Sequence, residues 1–128
     1  MYVARLTTDE VIRPSVEANM PGNLIVNDDE TEQSIIADYF KHPLHHNWII
    51  DDDINGFLCC TVYDEYVIVN FAWHIGSFGT LKKMVHLAKK LHKMYTIAGG
   101  KPMYYSGKTN LYPNHSITIA DNVWEFTA

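Results

Sequence analysis

The sequence predicts a single α+β domain, residues 1–128, in which a mixed, mainly antiparallel sheet is flanked by helices. Two changes in the spacing of apolar residues indicate this class. Near Trp48 the spacing becomes that of strands, and near Thr80 it returns to that of a helix. A chain of 128 residues with 47% apolar residues can bury a core of its own.

The N-terminal segment is predicted to contain a strand and then a helix. Tyr2–Leu6 alternates loosely between apolar and polar residues. Thr8 is followed by two acidic residues, which is typical of a helix N-cap and first turn. Pro14 belongs in the first turn of such a helix or ends it.

A second helix is predicted over Ser34–Phe40, where four apolar side chains have helical spacing. Asp28 or Thr31 is its expected N-cap, and Pro43 stops it. Residues 42–47 are expected to form a loop.

Three strands follow. Trp48–Ile50 is a short strand, Phe57–Tyr63 is rich in β-branched and aromatic residues, and Tyr66–Ile75 is long and apolar. Short polar turns join them, so they are expected to form an antiparallel meander. The third strand is predicted to be central and buried on both faces.

A basic amphipathic helix is predicted from Thr80 to about Tyr95. Five lysines occupy one side of it. The opposite stripe, which we expect to face the sheet, consists of Leu81, Met84, Val85, Ala88, Leu91 and Tyr95.

The C-terminal part is predicted to add three short strands. Gly99 and Gly100 end the helical connection, and Met103–Ser106 follows as a strand. After a loop, Ile117–Ile119 and Val123–Phe126 are expected to pair through a turn at residues 121–122.

Cys59 and Cys60 are adjacent and are the two cysteines of the chain. Neighbouring strand residues point to opposite faces, so we interpret them as buried hydrophobic side chains and not as a disulfide or a reactive thiol. Residues 1–13 contain no long apolar run, so a secretory signal is not expected. The apolar runs have the length of strands and are not expected to cross a membrane. We therefore expect a cytoplasmic protein without membrane contact.

Charge is divided unevenly along the chain, whose net charge is −5. Residues 1–65 hold three basic and thirteen acidic side chains, whereas residues 66–128 hold seven lysines and two acidic side chains. The basic part is either solvated surface or a rim that receives a phosphorylated ligand or an acidic partner. Nucleic acid is not an expected partner, because the basic helix has no interleaved aromatic residues.

The turn between the long strand and the basic helix is the strongest candidate for a binding site. Gly76 and Gly79 allow close approach to the backbone, and the helix N-terminus after them presents free N–H groups. Lys82 and Lys83 lie in the first turn, where a bound anion would relieve their conflict with the helix dipole. The alternative is an ordinary tight turn.

The order of these elements resembles the GNAT acetyltransferase fold over roughly residues 2–126, and most specifically over residues 57–106. The resemblance implies that the pantetheine arm of acetyl-CoA enters beside the strand Tyr66–Ile75 and that the loop after it holds the pyrophosphate. The cofactor-binding residues it implies are Ala72, His74, Gly76, Ser77, Phe78, Gly79 and Thr80.

The family also implies roles in acetyl transfer. In the family, the fifth strand is followed by a helix that begins with Asn and often carries a Tyr that can act as general acid. Asn110 and Tyr112 occupy this position, although Pro113 argues against a regular helix. Tyr112 is thus the candidate general acid, and Glu65 and His74 are the candidate bases.

The expected function is transfer of an acetyl group from acetyl-CoA to an amine. The glycine loop departs from the family pattern in either of its two alignments. If Gly76 is the first glycine, Trp73 stands where Gln or Arg is usual and Phe78 replaces the second small residue. If Gly79 is the first glycine, Gly76 and Leu81 stand at those two positions. This departure favours the alternative, a non-catalytic GNAT-like protein similar to small virion or assembly proteins of short-tailed phages. Such a protein would act in the host cytoplasm or in the virion and would bind a protein partner.

A metal site is not expected. His42, His45 and His46 are close together in the predicted loop, but adjacent histidines there point in different directions.

Overall fold

The computed structural model describes residues 4–97 and 100–128 and confirms an α+β architecture with one seven-stranded sheet. The strands are β1 (Arg5–Leu6), β2 (His45–Ile49), β3 (Gly56–Val62), β4 (Val67–His74), β5 (Met103–Ser106), β6 (Ser116–Ala120) and β7 (Val123–Phe126). Their order across the sheet is β1-β2-β3-β4-β5-β7-β6. Every described pair of neighbours is antiparallel except β4 and β5.

Helices cover both faces of this sheet. They are α1 (Asp9–Asn19), α2 (Glu32–Lys41) and α3 (Phe78–Leu91). A π-helical turn, His92–Ile97, extends α3, and a 3-10 turn, Pro113–His115, precedes β6. Because α3 lies between β4 and β5 in the chain, it provides the crossover that a parallel pair of strands requires.

Two hydrophobic clusters lie on opposite faces of the sheet. The cluster against α3 includes Leu58, Val69, Leu91 and Met103, and all four are buried. The cluster against α1 and α2 includes Ile12, Tyr39, Phe57 and Phe71. The cysteines follow the same division, with Cys60 in the first cluster and Cys59 in the second, and both are buried free thiols, as predicted.

A β-bulge in β4 changes the face of the sheet on which the side chains after the bulge lie. Cys59 pairs with Phe71 and Cys60 pairs with Val69, so Asn70 is an extra residue in β4. Val69 therefore packs in the α3 cluster, whereas Phe71, two residues later, packs in the cluster of α1 and α2. Bulges re-aim side chains in this way and are frequent beside functional sites.

The predicted helix starts are right in part. Thr31 is the N-cap of α2, with its hydroxyl accepting the Ser34 N–H at 3.0 Å. Pro14, by contrast, lies inside α1, so the prediction that it belongs in the first turn or ends the helix is wrong. Packing of Ile12 and Val16 against the sheet outweighs the backbone bond that proline cannot make.

The prediction of a loop over residues 42–47 is also wrong, because β2 begins at His45. His45 and His46 pair with Thr61 and Cys60 of β3. This pairing is a tertiary effect, because the local sequence after Pro43 has no strand pattern.

The helix predicted from Thr80 begins two residues earlier, at Phe78. Ser77 is its N-cap, and its hydroxyl accepts the Thr80 N–H at 3.1 Å. Ala88 and Leu91 are buried as predicted, but Leu87 is buried as well, whereas Leu81 and Val85 are half-buried. The helix therefore faces the sheet with a stripe that is rotated from the predicted one.

The remaining strand predictions are confirmed within a residue or two. β4 is central in the sheet, but its residues alternate between buried and half-buried, so it is not buried evenly on both faces. Tyr2, at the start of the predicted first strand, and Gly99 lie outside the described residues.

Candidate functional site

The sheet opens between its two parallel strands. Val67, Ile68 and Val69 of β4 pair with Met103, Tyr104 and Tyr105 of β5. Beyond this, β4 continues to His74, whereas β5 ends at Ser106. A cavity of about 560 Å³ lies at this opening.

The walls of the cavity come from both layers of the domain. One side consists of β4 from Ile68 to His74, and the opposite side consists of the end of β5 and the loop that reaches Pro113. Residues 20–25 after α1, together with Ile35 of α2, close one face, and Leu81 of α3 closes the other. The opening is therefore a passage that is lined by residues from both faces of the sheet.

The turn between β4 and α3 lies at one end of this passage. Gly76 has a φ of 91°, a left-handed conformation that favours glycine. Its N–H donates to Nδ1 of His74 at 3.0 Å, so the turn is tied to the last residue of β4. The Ser77 hydroxyl caps the helix through the Thr80 N–H.

Two backbone donors remain at the start of α3. Among the described groups, the N–H groups of Phe78 and Gly79 have no hydrogen-bond acceptor. A Cβ added to Gly79 would meet no atom within 4 Å, so the approach to these donors is open. The first turn of α3 has no acidic residue, and Lys82 lies over the Phe78 ring at 5.8 Å. The site therefore suits an anion.

Phe78 does not fill the cavity. Its side chain is 76% exposed, and it is not one of the lining residues. The bulk of Phe78 therefore leaves the cavity open to a ligand.

His74 lines the cavity at the end of β4. Because Nδ1 accepts the Gly76 N–H, the neutral imidazole carries its proton on Nε2. Partial burial lowers the pKa of His74 below its usual 6.5, which favours this neutral form. In this arrangement His74 is a hydrogen-bond donor at neutral pH.

Tyr112 also contributes to the cavity wall, but it is 2% exposed. Its hydroxyl donates to the backbone carbonyl of Met84 at 3.3 Å. Asn110 holds the segment in place, because its Oδ1 accepts the Tyr112 N–H at 2.9 Å and the Tyr105 hydroxyl at 2.5 Å. As Pro113 indicated, this segment forms a 3-10 turn in place of an α-helix.

Glu65 is not brought together with these residues. It is exposed at the tip of the β3–β4 hairpin, and it does not line the cavity. Ala72, a predicted cofactor residue, does line it, and is half-buried. The structure thus collects Ala72, His74 and Tyr112 at one cavity and places the loop from Gly76 to Thr80 beside it.

Sequence reasoning did not identify several lining residues. Asn70, the bulged residue, accepts a hydrogen bond from the buried Thr61 hydroxyl at 2.8 Å. Lys108 is an exposed lysine on the β5 side, and Trp73 lies on the α1–α2 face. The bulge could not be foreseen, because it depends on the register between β3 and β4.

The three clustered histidines have separate partners. His45 contacts Asp9 at 2.7 Å, His46 contacts the Tyr95 hydroxyl at 2.9 Å, and His42 accepts the Leu44 N–H. Within residues 4–97 and 100–128, no group of three His, Cys, Asp or Glu side chains is placed to hold a metal ion. None of the helices described is long and apolar enough to cross a membrane.

No protein-family model matches this sequence, and no curated protein matches it. The features of this chain that bear on function are the cavity, the turn beside it and the order of the elements.

Proposed function

We propose that this chain has a GNAT-like fold and that it transfers an acetyl group from acetyl-CoA to an amine. The observation that carries the proposal is the divergence of the parallel strands β4 and β5 around a cavity, directly beside the N-terminus of α3. In the family that the sequence resembles, the pantetheine arm enters such a gap and the following loop holds the pyrophosphate. The order of strands and helices along the chain supports the same assignment.

The gap between the strands has the chemistry that a pantetheine arm requires. From Asn70 to His74, β4 has β3 on one side, and none of the described strands pairs with it on the other. Its outward backbone groups would pair with the amides of the arm, as an added strand would. Ile68 and Ala72 supply apolar wall beside these polar groups.

The turn beside the gap has the chemistry that a pyrophosphate requires. The free N–H groups of Phe78 and Gly79 would hold it at the positive end of the α3 dipole. Lys82 on α3 places its ammonium group over the Phe78 ring at the start of the helix. Lys108, on the β5 wall of the cavity, supplies a second positive charge. Ser77 and Thr80 contribute by fixing the turn, because their hydroxyls bond to each other at 2.9 Å.

When bound, acetyl-CoA supplies a thioester that a neutral amine attacks directly. No described Asp or Glu lines the cavity, so we infer that water in the passage takes the proton of the amine. His74 can donate a hydrogen bond from Nε2 into the cavity, and we assign it a positioning role in place of the predicted role as base. Tyr112 can act as an acid only after its hydroxyl leaves the Met84 carbonyl.

A non-catalytic, partner-binding or virion-assembly role is the second candidate. Ile75 and Phe78 favour it, because they are 54% and 76% exposed and flank the turn in the chain. Exposed apolar residues of this size are frequent in protein interfaces. The same fold would then bind a protein at the end of the cavity.

Calorimetric titration with acetyl-CoA separates the two candidates. The proposal expects micromolar binding, amide shifts in NMR spectra at residues 70–80, and acetylation of added amines. The variant Ala72→Trp should abolish binding because it fills the gap, whereas Ala18→Trp, at an exposed position of α1, should bind as the wild type does. An absence of binding at millimolar acetyl-CoA would eliminate the enzyme proposal, and binding without transfer would favour the second candidate.

A further inference from the structure

The strand β6 forms one edge of the sheet and is unusually exposed. It pairs with β7 on one side, and four of its five residues are exposed. Ile117 and Ile119 are each 51% exposed. An open strand edge with apolar side chains is a template for pairing with another strand.

The pairing with β7 shows which backbone groups of β6 remain open. The Thr127 N–H donates to the His115 carbonyl at 2.7 Å, and Ile117 lies opposite Glu125 two residues further on. Hydrogen-bonded pairs alternate in antiparallel strands, so Ile117 bonds to Glu125. Ser116 and Thr118 therefore direct their N–H and C=O groups away from the sheet.

This edge lacks two of the usual protections against pairing, a proline and a charged side chain within the strand. Ser116–Ala120 contains no proline and no charged residue. The opposite edge of the sheet differs, because β1 has two residues and Arg5 forms an ion pair with Asp52 at 2.8 Å. A bulge at Ile119 shortens the regular part of β6 but leaves Ser116–Thr118 regular.

We propose that two copies of this chain associate through antiparallel pairing of β6 with β6. Ile117 lies on the two-fold axis, and Ser116 of each copy exchanges both backbone hydrogen bonds with Thr118 of the other. This register uses every backbone group that faces outward in the regular part of the strand. It also places hydroxyl side chains opposite each other and joins two β-branched side chains at the centre, which are favourable cross-strand pairs.

The charges near β6 are compatible with a second copy. Although the chain carries a net charge of −5, β6 itself is uncharged. Antiparallel pairing brings the His115 end of each strand toward the Asp121 end of the other, so the Asp121 carboxylates of the two copies lie at opposite ends of the pair. Two-fold pairing thus avoids the like-charge contacts that a net acidic chain would meet elsewhere.

The association is expected to be reversible. One strand of five residues buries less surface than a standard protein interface, so we expect a dissociation constant in the micromolar range. Sedimentation velocity from low micromolar to near millimolar concentration should show conversion of monomer to dimer. A wild-type chain that stays monomeric over this range would overturn the proposal.

Substitutions at the two-fold axis test the register. Ile117→Lys should weaken the dimer by at least about tenfold, because it places like charges opposite each other, and Ile117→Glu should do the same. A mixture of the two variants should form the heterodimer. Val26→Lys is the control. It changes an exposed apolar residue in the connection between α1 and α2, so this variant should dimerise as the wild type does. Dimers that tolerate Ile117→Lys, or a mixture that fails to associate, would refute the pairing.

Amide hydrogen exchange gives a second, independent readout on the wild-type chain. The N–H groups of Ser116 and Thr118 should gain protection as concentration rises, whereas that of Ile117 should be protected at every concentration through Glu125. Equal exchange of Ser116 and Thr118 in dilute and concentrated samples would overturn the proposal, even if the chain dimerises through another surface.

Discussion

Replacing Gly79 with aspartate should separate anion binding from stability at the N-terminus of α3. Gly79 lies in helical backbone in the first turn, and a Cβ there meets no atom within 4 Å. Gly79→Asp therefore introduces no clash. It places a carboxylate beside the N–H groups that we assign to the pyrophosphate.

The two effects of this substitution have opposite signs. An acid in a first turn that has none should stabilise the helix by about 0.3–1 kcal/mol, and the loss of a helical glycine should add to this gain. A carboxylate and a phosphate about 5 Å apart repel each other by about 3 kcal/mol at an effective dielectric constant of about 20. Acetyl-CoA binding should then weaken by a factor of about 100.

Calorimetric titration and thermal unfolding of the same samples measure both quantities. Gly79→Asn is the matched control, because it has a similar size and no charge, and it should keep most of the affinity. Affinity of Gly79→Asp equal to that of the wild type would refute the assignment of the pyrophosphate to this turn. A fall in its melting temperature would show that the helix N-terminus is not as open as the geometry indicates.

Other predictions concern the core and the titrating groups. Leu91→Ala should cost about 2–5 kcal/mol in urea unfolding, because Leu91 is fully buried, whereas Leu81→Ala at the half-buried cavity wall should cost clearly less. A larger loss at Leu81 would contradict the observed face of α3. The thiols of Cys59 and Cys60 should stay unreactive toward a thiol reagent until the chain unfolds, since burial raises the pKa of both, that of Cys60 to about 12. Stability should fall as the pH drops through about 6.5, because burial lowers the pKa of three histidines in the folded state and the unfolded chain then binds more protons. The three histidines are His46, His74 and His92. Equal urea midpoints of unfolding at about pH 7.5 and about pH 5 would contradict this prediction.

The strands with their own pattern could be predicted from the sequence. Met103–Ser106 has the predicted bounds, and the hairpin of β6 and β7 is confirmed around its turn at residues 121–122. The capping of α2 by Thr31 was one of two options, and only the geometry of its hydroxyl distinguishes it from Asp28. Short segments that follow a proline, such as His45–Asn47, lack a pattern and gain their strand conformation from pairing with β3.

For the candidate site, the glycine turn could be predicted from the sequence, whereas the cavity between β4 and β5 could not. Gly76, Gly79 and the following amphipathic helix are local features, because backbone conformation and helix capping depend on neighbours in the chain. The roles of Glu65, His74 and Tyr112 depend on distances between elements, which periodicity does not contain. The structure brings two of the three to the cavity and leaves Glu65 at a hairpin tip.

The sequence alone determined the class of the domain, the order of its strands and helices, and the place of the glycine turn, because these follow from hydrophobic periodicity and turn chemistry. Tertiary structure decided the rest. The separation of β4 from β5 depends on pairing between strands that are distant in the chain. The bulge at Asn70 and the open edge of β6 depend on how each hairpin pairs and where it lies in the sheet. Register depends on turn geometry and on which face of each strand the packed layers bury, and the pattern within one strand does not state which partner residue it will meet.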